Sequence, residues 1–128
     1  MSDADSAFEV VALRPFVPAK DFATSLRFYE ELGFCATKLD DRLASIHFGR
    51  FGFLLQGFDA EGFAGNFMMH LLVRDVDRWW ARIAGLDLAG RYGVRAPVAP
   101  KLQPWGLVVA FVVDPSGVLW HVAQARKS

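Results

Sequence analysis

The sequence predicts an α+β fold of two tandem βαβββ modules, with the helices on one side of curved sheets. Three observations carry that prediction. The chain repeats itself: D-F-A-T-S-L-R-F-Y-E-E-L-G-F starts at Asp21 and D-V-D-R-W-W-A-R-I-A-G-L at Asp75. Each copy has a polar start, apolar residues at helical spacing and a glycine stop. An apolar, strand-like run precedes each copy (residues 8–17 and 67–73), and more such runs follow it. Two copies of one unit imply a pseudo-symmetric domain, with a cleft where the halves meet and a ligand would sit.

In chain order, residues 8–17 are β-rich, and Pro15 and Pro18 restrict the end of that run to an edge or exit. Asp21 is placed to cap a helix whose Phe22, Leu26, Tyr29 and Leu32 form one apolar stripe. Gly33 stands where a left-handed cap would fall. Residues 34–39, 43–48 and 51–58 read as strands, separated by Asp40-Asp41 and Gly49-Arg50. This completes module one, 8–58, and residues 59–66 link it to module two, 67–125, within one domain spanning 1–128. In module two Asp75 caps a helix carrying Val76, Trp79, Trp80 and Ile83 at i, i+3, i+4 and i+7, and Gly85 closes it. Residues 86–92 read as a strand and 95–104, with three prolines, as an irregular loop. Residues 105–113 and 118–123 form a final hairpin through Asp114-Pro115-Ser116-Gly117.

Composition narrows the function classes. At 128 residues, 53% hydrophobic and 14% aromatic, the chain can bury a core and is not a disordered segment. Lys plus Arg equals Asp plus Glu at 14 each, so no basic excess points to nucleic acid. No run approaches the roughly 20 apolar residues that span a bilayer. The start, M-S-D-A-D-S-A, has the wrong charge for a secretory signal. A single cysteine, Cys35, fits a reducing compartment, and the expected location is cytoplasmic.

Four segments together resemble the vicinal oxygen chelate superfamily, which includes glyoxalase I, extradiol dioxygenases, fosfomycin-resistance enzymes and bleomycin-resistance proteins. They are S-L-R-F-Y-E-E-L-G-F from Ser25, L-L-V-R-D-V-D-R-W-W from Leu71, Q-P-W-G from Gln103 and D-P-S-G-V-L-W-H from Asp114. In order, they cover nearly the whole chain, and the last two look most like the bleomycin-resistance branch. The resemblance implies that each module curls into a half-barrel cup that holds the ligand, with a homodimer completing the pocket.

The resemblance also implies four metal-ligand positions, which fall near Arg14, Gln56, Met68 and His121. Arg14 offers no lone pair, and the Met68 thioether is a poor match for an oxygen-chelating ion. His121, Gln56 and His70 (two residues after Met68 on the same face) remain as weak candidates for a divalent metal. The expectation is that the metal centre has been lost and that no cofactor is needed.

His47 reads as a surface or half-buried histidine, and His70 and His121 as either cup-lining or core groups. Cys35 lacks an adjacent base and reads as a small core residue. Arg14, if inside a strand, needs a carboxylate partner or a ligand anion. Trp105, at the mouth of the last hairpin, is the best candidate to stack on a flat ligand. Arg74, Asp75, Asp77 and Arg78 read as capping and solvating charges.

These readings converge on a metal-free protein that sequesters a planar or amphipathic small molecule in an aromatic-lined cup. Arg14, His47, Gln56, Met68, His70, Trp105 and His121 are its candidate contacts. Expected partners are the ligand and a second copy of the chain, with no nucleic acid and no membrane. The alternative is a metal-dependent lyase, dioxygenase or thiol transferase on the same scaffold. A third class, a protein-interaction module without a pocket, would use the same aromatic residues for packing.

Overall fold

The structure, a computed structural model, describes residues 7–58 and 64–126; the acidic start and most of the expected linker lie outside them. Module one contains β1 (Phe16–Ala19), α1 (Phe22–Leu32), β2 (Cys35–Asp40), β3 (Leu43–Phe48) and β4 (Phe51–Gly57). After a 3-10 turn at Ala64–Asn66 come β5 (Met68–Val73), α2 (Val76–Gly85), α3 (Leu88–Tyr92), β6 (Val98–Leu102), β7 (Val108–Val113) and β8 (Leu119–Gln124). The two four-stranded sheets have the same order, β1-β4-β3-β2 and β5-β8-β7-β6. In each, the first and last strands of the module pair in parallel and the others are antiparallel. The fold is α+β with two open, mixed sheets, as the repeat predicts.

The helix starts follow the sequence signals. Asp21 accepts from the Thr24 N–H at 3.1 Å and Asp75 from the Arg78 N–H at 3.1 Å, each satisfying an orphan donor of the first turn. Gly33 ends α1 at φ 112°, with its N–H bonded to Glu30 O and that of Phe34 to Tyr29 O. The fully buried face of α1 is Ser25, Phe28, Tyr29 and Leu32, with Phe22 and Leu26 half-buried beside it. The predicted stripe therefore omitted Phe28. One hydrophobic cluster runs through both modules, from Val17, Phe28 and Phe53 to Ile83, Val112 and Trp120.

Three local expectations are corrected. Only residues from Phe16 onward form the first strand; residues 9–15 are outside any strand and exposed. Pro15 and Pro18 lack an N–H for a ladder, and the strand is correspondingly short. Gly85 is the last residue of α2, as expected, but the cap is Leu86 in right-handed geometry rather than a glycine. Residues 86–92 hold α3 rather than a strand, because Asp87 caps Gly90 N–H at 3.3 Å and starts a new turn. The proline-rich stretch contains the edge strand β6, whose pairing shifts register between Val98 and Lys101, around Pro100. Among the described residues no helix is long and apolar enough to cross a membrane.

Candidate functional site

Strand alternation divides each sheet into a core face and an open concave face. On β5 and β8, Met69, Leu71, Trp120 and Val122 point to the core. Met68, His70, Leu72, Leu119 and His121 therefore point the other way. His70 pairs directly with His121 across the parallel ladder, and their ring centroids lie 6.2 Å apart. The His121 ring lies 4.8 Å from Phe111 and 6.3 Å from Trp105. Trp105 sits in the turn before β7 rather than on a strand, about half exposed. Met68 and Leu72 are also exposed, so the concave face of module two is a wide apolar surface with two imidazoles at its middle.

Partial burial lowers the His121 pKa below the ordinary histidine value, and the neighbouring His70 adds to that effect. Its ring is neutral at pH 7, a flat group able to stack and to exchange one hydrogen bond.

The other predicted contacts lie elsewhere. Gln56 and His47 belong to the concave face of module one, Gln56 opposite Pro18 and Leu43 and His47 opposite Cys35 and Gly52. Cys35 is exposed on that face rather than packed in the core. Arg14 precedes β1 and is exposed, so it is neither strand-interior nor in need of a buried partner.

The donor set does not match the superfamily's metal centre. His70 and His121 are neighbours, but Arg14 is a cation outside the strands, and Met68 is a thioether. Among the described residues no three His, Cys, Asp or Glu side chains are grouped to hold an ion. No reaction step through a metal follows from these residues.

The cleft anticipated between the modules is present, with a volume of about 650 Å³. Module one supplies Phe34, Phe48 and residues 51–53; module two supplies residues 69–75, one side of α2 and Trp120. Phe34, Phe53 and Trp120 form a buried aromatic floor, with Phe48 and Trp79 above it. Arg74, Arg78 and Arg82 also line it. The sequence assigns Arg74 and Arg78 to capping and solvation; the spacing of four between Arg78 and Arg82 along α2 is the available signal for a shared face, while Arg74 precedes the helix cap.

Comparison with known proteins accounts for this architecture. Residues 10–122 match the profile of the Glyoxalase/Bleomycin resistance protein/Dioxygenase superfamily. The chain belongs to this superfamily. It is 29% identical over 114 residues to a bleomycin resistance protein of Klebsiella pneumoniae, covering 86% of this chain and 89% of that one. The structure of a bleomycin-binding protein complexed with bleomycin superimposes with a TM-score of 0.79 at 25% identity, covering 91% of this chain and all of the other. The copper(II)-bleomycin complex of the Streptomyces verticillus bleomycin-binding protein gives 0.77 at 21% identity, over 92% of this chain and 98% of that one. Agrobacterium tumefaciens lactoylglutathione lyase gives 0.65 at 20% identity, over 91% and 96%. The last two comparisons concern fold alone.

Within the superfamily's architecture, the chain retains paired modules and apolar concave faces. The ligand-sequestering and enzymatic relatives share the scaffold, so function is argued from the side chains on those faces.

Proposed function

We propose that this superfamily member is a metal-independent small-molecule binding protein. It sequesters a planar or amphipathic ligand on the concave aromatic faces rather than transforming it. The observation that carries this reading is the cluster of Trp105, Phe111, His121 and His70: flat, largely apolar and open to solvent, with no third His, Cys, Asp or Glu grouped with the histidines among the described residues. Stacking between rings is worth about 0.5–1.5 kcal/mol beyond simple burial, and a ligand spanning several of these groups gains it more than once. Similarity to a bleomycin resistance protein and to a bleomycin-binding protein complexed with bleomycin supports the sequestration reading.

The binding unit in this reading is a homodimer. Each concave face is open on one chain, and the amino-terminal arm leaves Phe8, Val10, Val11 and Leu13 between 76% and 95% exposed. Contiguous apolar exposure of this kind marks a surface that associates. A cytoplasmic setting fits the exposed, unpaired Cys35.

Calorimetric titration of the purified protein with metal-free bleomycin, and with small planar heteroaromatics, tests the proposal. Saturable binding that Trp105→Ala weakens at least tenfold is expected. Stoichiometric divalent metal that co-purifies with the wild type and disappears in His121→Ala would move the protein to the enzymatic branch.

A further inference from the structure

We propose that the cleft between the modules is a second binding site, sharing His70 and Leu72 of β5 with the concave face of module two but lined by neither Trp105 nor His121, and that it takes a planar aromatic anion. Its floor is aromatic and dry: Phe53, Trp120 and Phe34 are at most 7% exposed. Its volume of about 650 Å³ is in the range of small-molecule sites.

The charge of its wall decides the ligand class. Arg74, Arg78 and Arg82 line the cleft against one carboxylate, Asp75. That carboxylate is committed to capping α2 through the Arg78 N–H. Arg50, outside the lining, lies with its guanidinium 5.4 Å from the ring of Phe51, which lines the cleft. The chain as a whole is neutral, with 14 basic and 14 acidic residues, so this excess is local.

The arginines divide by role. Arg82 is fixed: its Nη1 donates to Leu32 O at 3.1 Å and its guanidinium stacks over Trp79 at 5.5 Å. It holds Trp79 flat against the cleft and acts as a positioning residue. Among the described residues, the side chains of Arg74 and Arg78 have no hydrogen-bond or ion-pair partner. Two free guanidinium forks above an aromatic floor complement a ring carrying a carboxylate or sulfonate, the ring covering the floor and the anion meeting the forks.

The test compares two fluorescent probes of matched shape, 8-anilinonaphthalene-1-sulfonate and its uncharged analogue N-phenyl-1-naphthylamine. On the full-length protein the sulfonate should bind saturably and more tightly than the neutral probe. An Arg74→Gln/Arg78→Gln variant should weaken the sulfonate roughly tenfold, the loss of one charge-assisted contact, and leave the neutral probe unchanged. Trp105→Ala, on the concave face, should leave the sulfonate site intact. Equal affinity for both probes, indifference to the double substitution, or absence of saturable binding would each overturn the proposal. So would loss of sulfonate binding in Trp105→Ala, which would place the probe on the concave face and leave the sequestration reading standing alone.

Discussion

The hydroxyl of Tyr29, on α1, donates a 2.5 Å hydrogen bond to Oδ2 of Asp114, which follows β7 in the other module. Both residues are buried to within 1% of complete exclusion. Trp120 Nε1–H donates back to the Tyr29 oxygen at 2.9 Å, and the N–H groups of Ser116 and Val118 donate to Oδ1 of Asp114. Burial pushes the Asp114 carboxyl above the usual carboxylate range despite these donors, and pushes the Tyr29 hydroxyl up as well. The D-P-S-G segment thus serves as more than a turn: its aspartate anchors one module to the other.

Removing the hydroxyl tests that anchor. Tyr29→Phe keeps the ring but leaves the buried indole N–H and one carboxylate oxygen without their partner. The expected loss is about 2–3 kcal/mol of stability, the cost of stranding buried polar groups, read from urea denaturation midpoints. A loss below about 0.5 kcal/mol would mean that apolar packing alone joins the modules.

Gly33 is a second junction. Its φ of 112° is open to glycine and strained for other residues, and a Cβ there would run into the Arg82 guanidinium. That guanidinium is the group bonded to Leu32 O. Gly33→Ala should cost about 1–2 kcal/mol from the backbone alone, with a further loss as Arg82 is displaced. In an Arg82→Ala background only the backbone part should remain, so a double-mutant cycle separates the two. Equal penalties in both backgrounds would show that Arg82 yields freely.

The elements most legible in the sequence were those whose signals are local. Asp21, Asp75 and Gly33 are read from capping chemistry, and the antiparallel strands of module one from alternation between turns. What failed depended on competition between neighbours. Residues 86–92 carry an apolar pattern that suits a strand, but Asp87 at φ 51° caps a new helical turn. The amino-terminal run is β-rich, yet its residues 9–15 lie outside any strand in the single chain, which moves Arg14 from an expected interior position to an exposed one. The resemblance puts His70 and His121 near cup positions, but the parallel pairing of β5 with β8 that sets their rings side by side is visible only in the structure. The arginine wall of the cleft was not legible, because spacing along α2 does not say which face meets the other module.

The exposed arm predicts oligomeric state. If Val11 and Leu13 are buried against a second copy, Val11→Asp/Leu13→Asp should convert a dimer into a monomer of unchanged secondary structure. Light scattering coupled to size exclusion reads this directly, with circular dichroism as the control for folding. A monomeric wild type at tens of micromolar, the low-affinity end for a stable protein pair, would remove the dimer from the proposed function. An unchanged dimer in the double variant would place the interface elsewhere.

The lowered pKa of His121 carries a signed prediction. Its folded value lies below 6.5 because burial disfavours the cation and His70 reinforces that. The folded state thus binds fewer protons at His121 than the unfolded chain in the window between the two values. Stability from this group is fully present above about pH 6.5, the unfolded value, and is lost as pH falls through the lower folded value. NMR titration should find His121 titrating below an ordinary histidine, and His70→Gln should move it upward. The urea midpoint should fall between pH 7 and pH 5, and less so in His121→Gln. Stacking on Trp105 and Phe111 by a neutral ring is part of the proposed cup, so affinity for an uncharged planar ligand should change in the same pH window. A His121 that titrates at or above 6.5 would show that the concave face is wetter than its geometry implies.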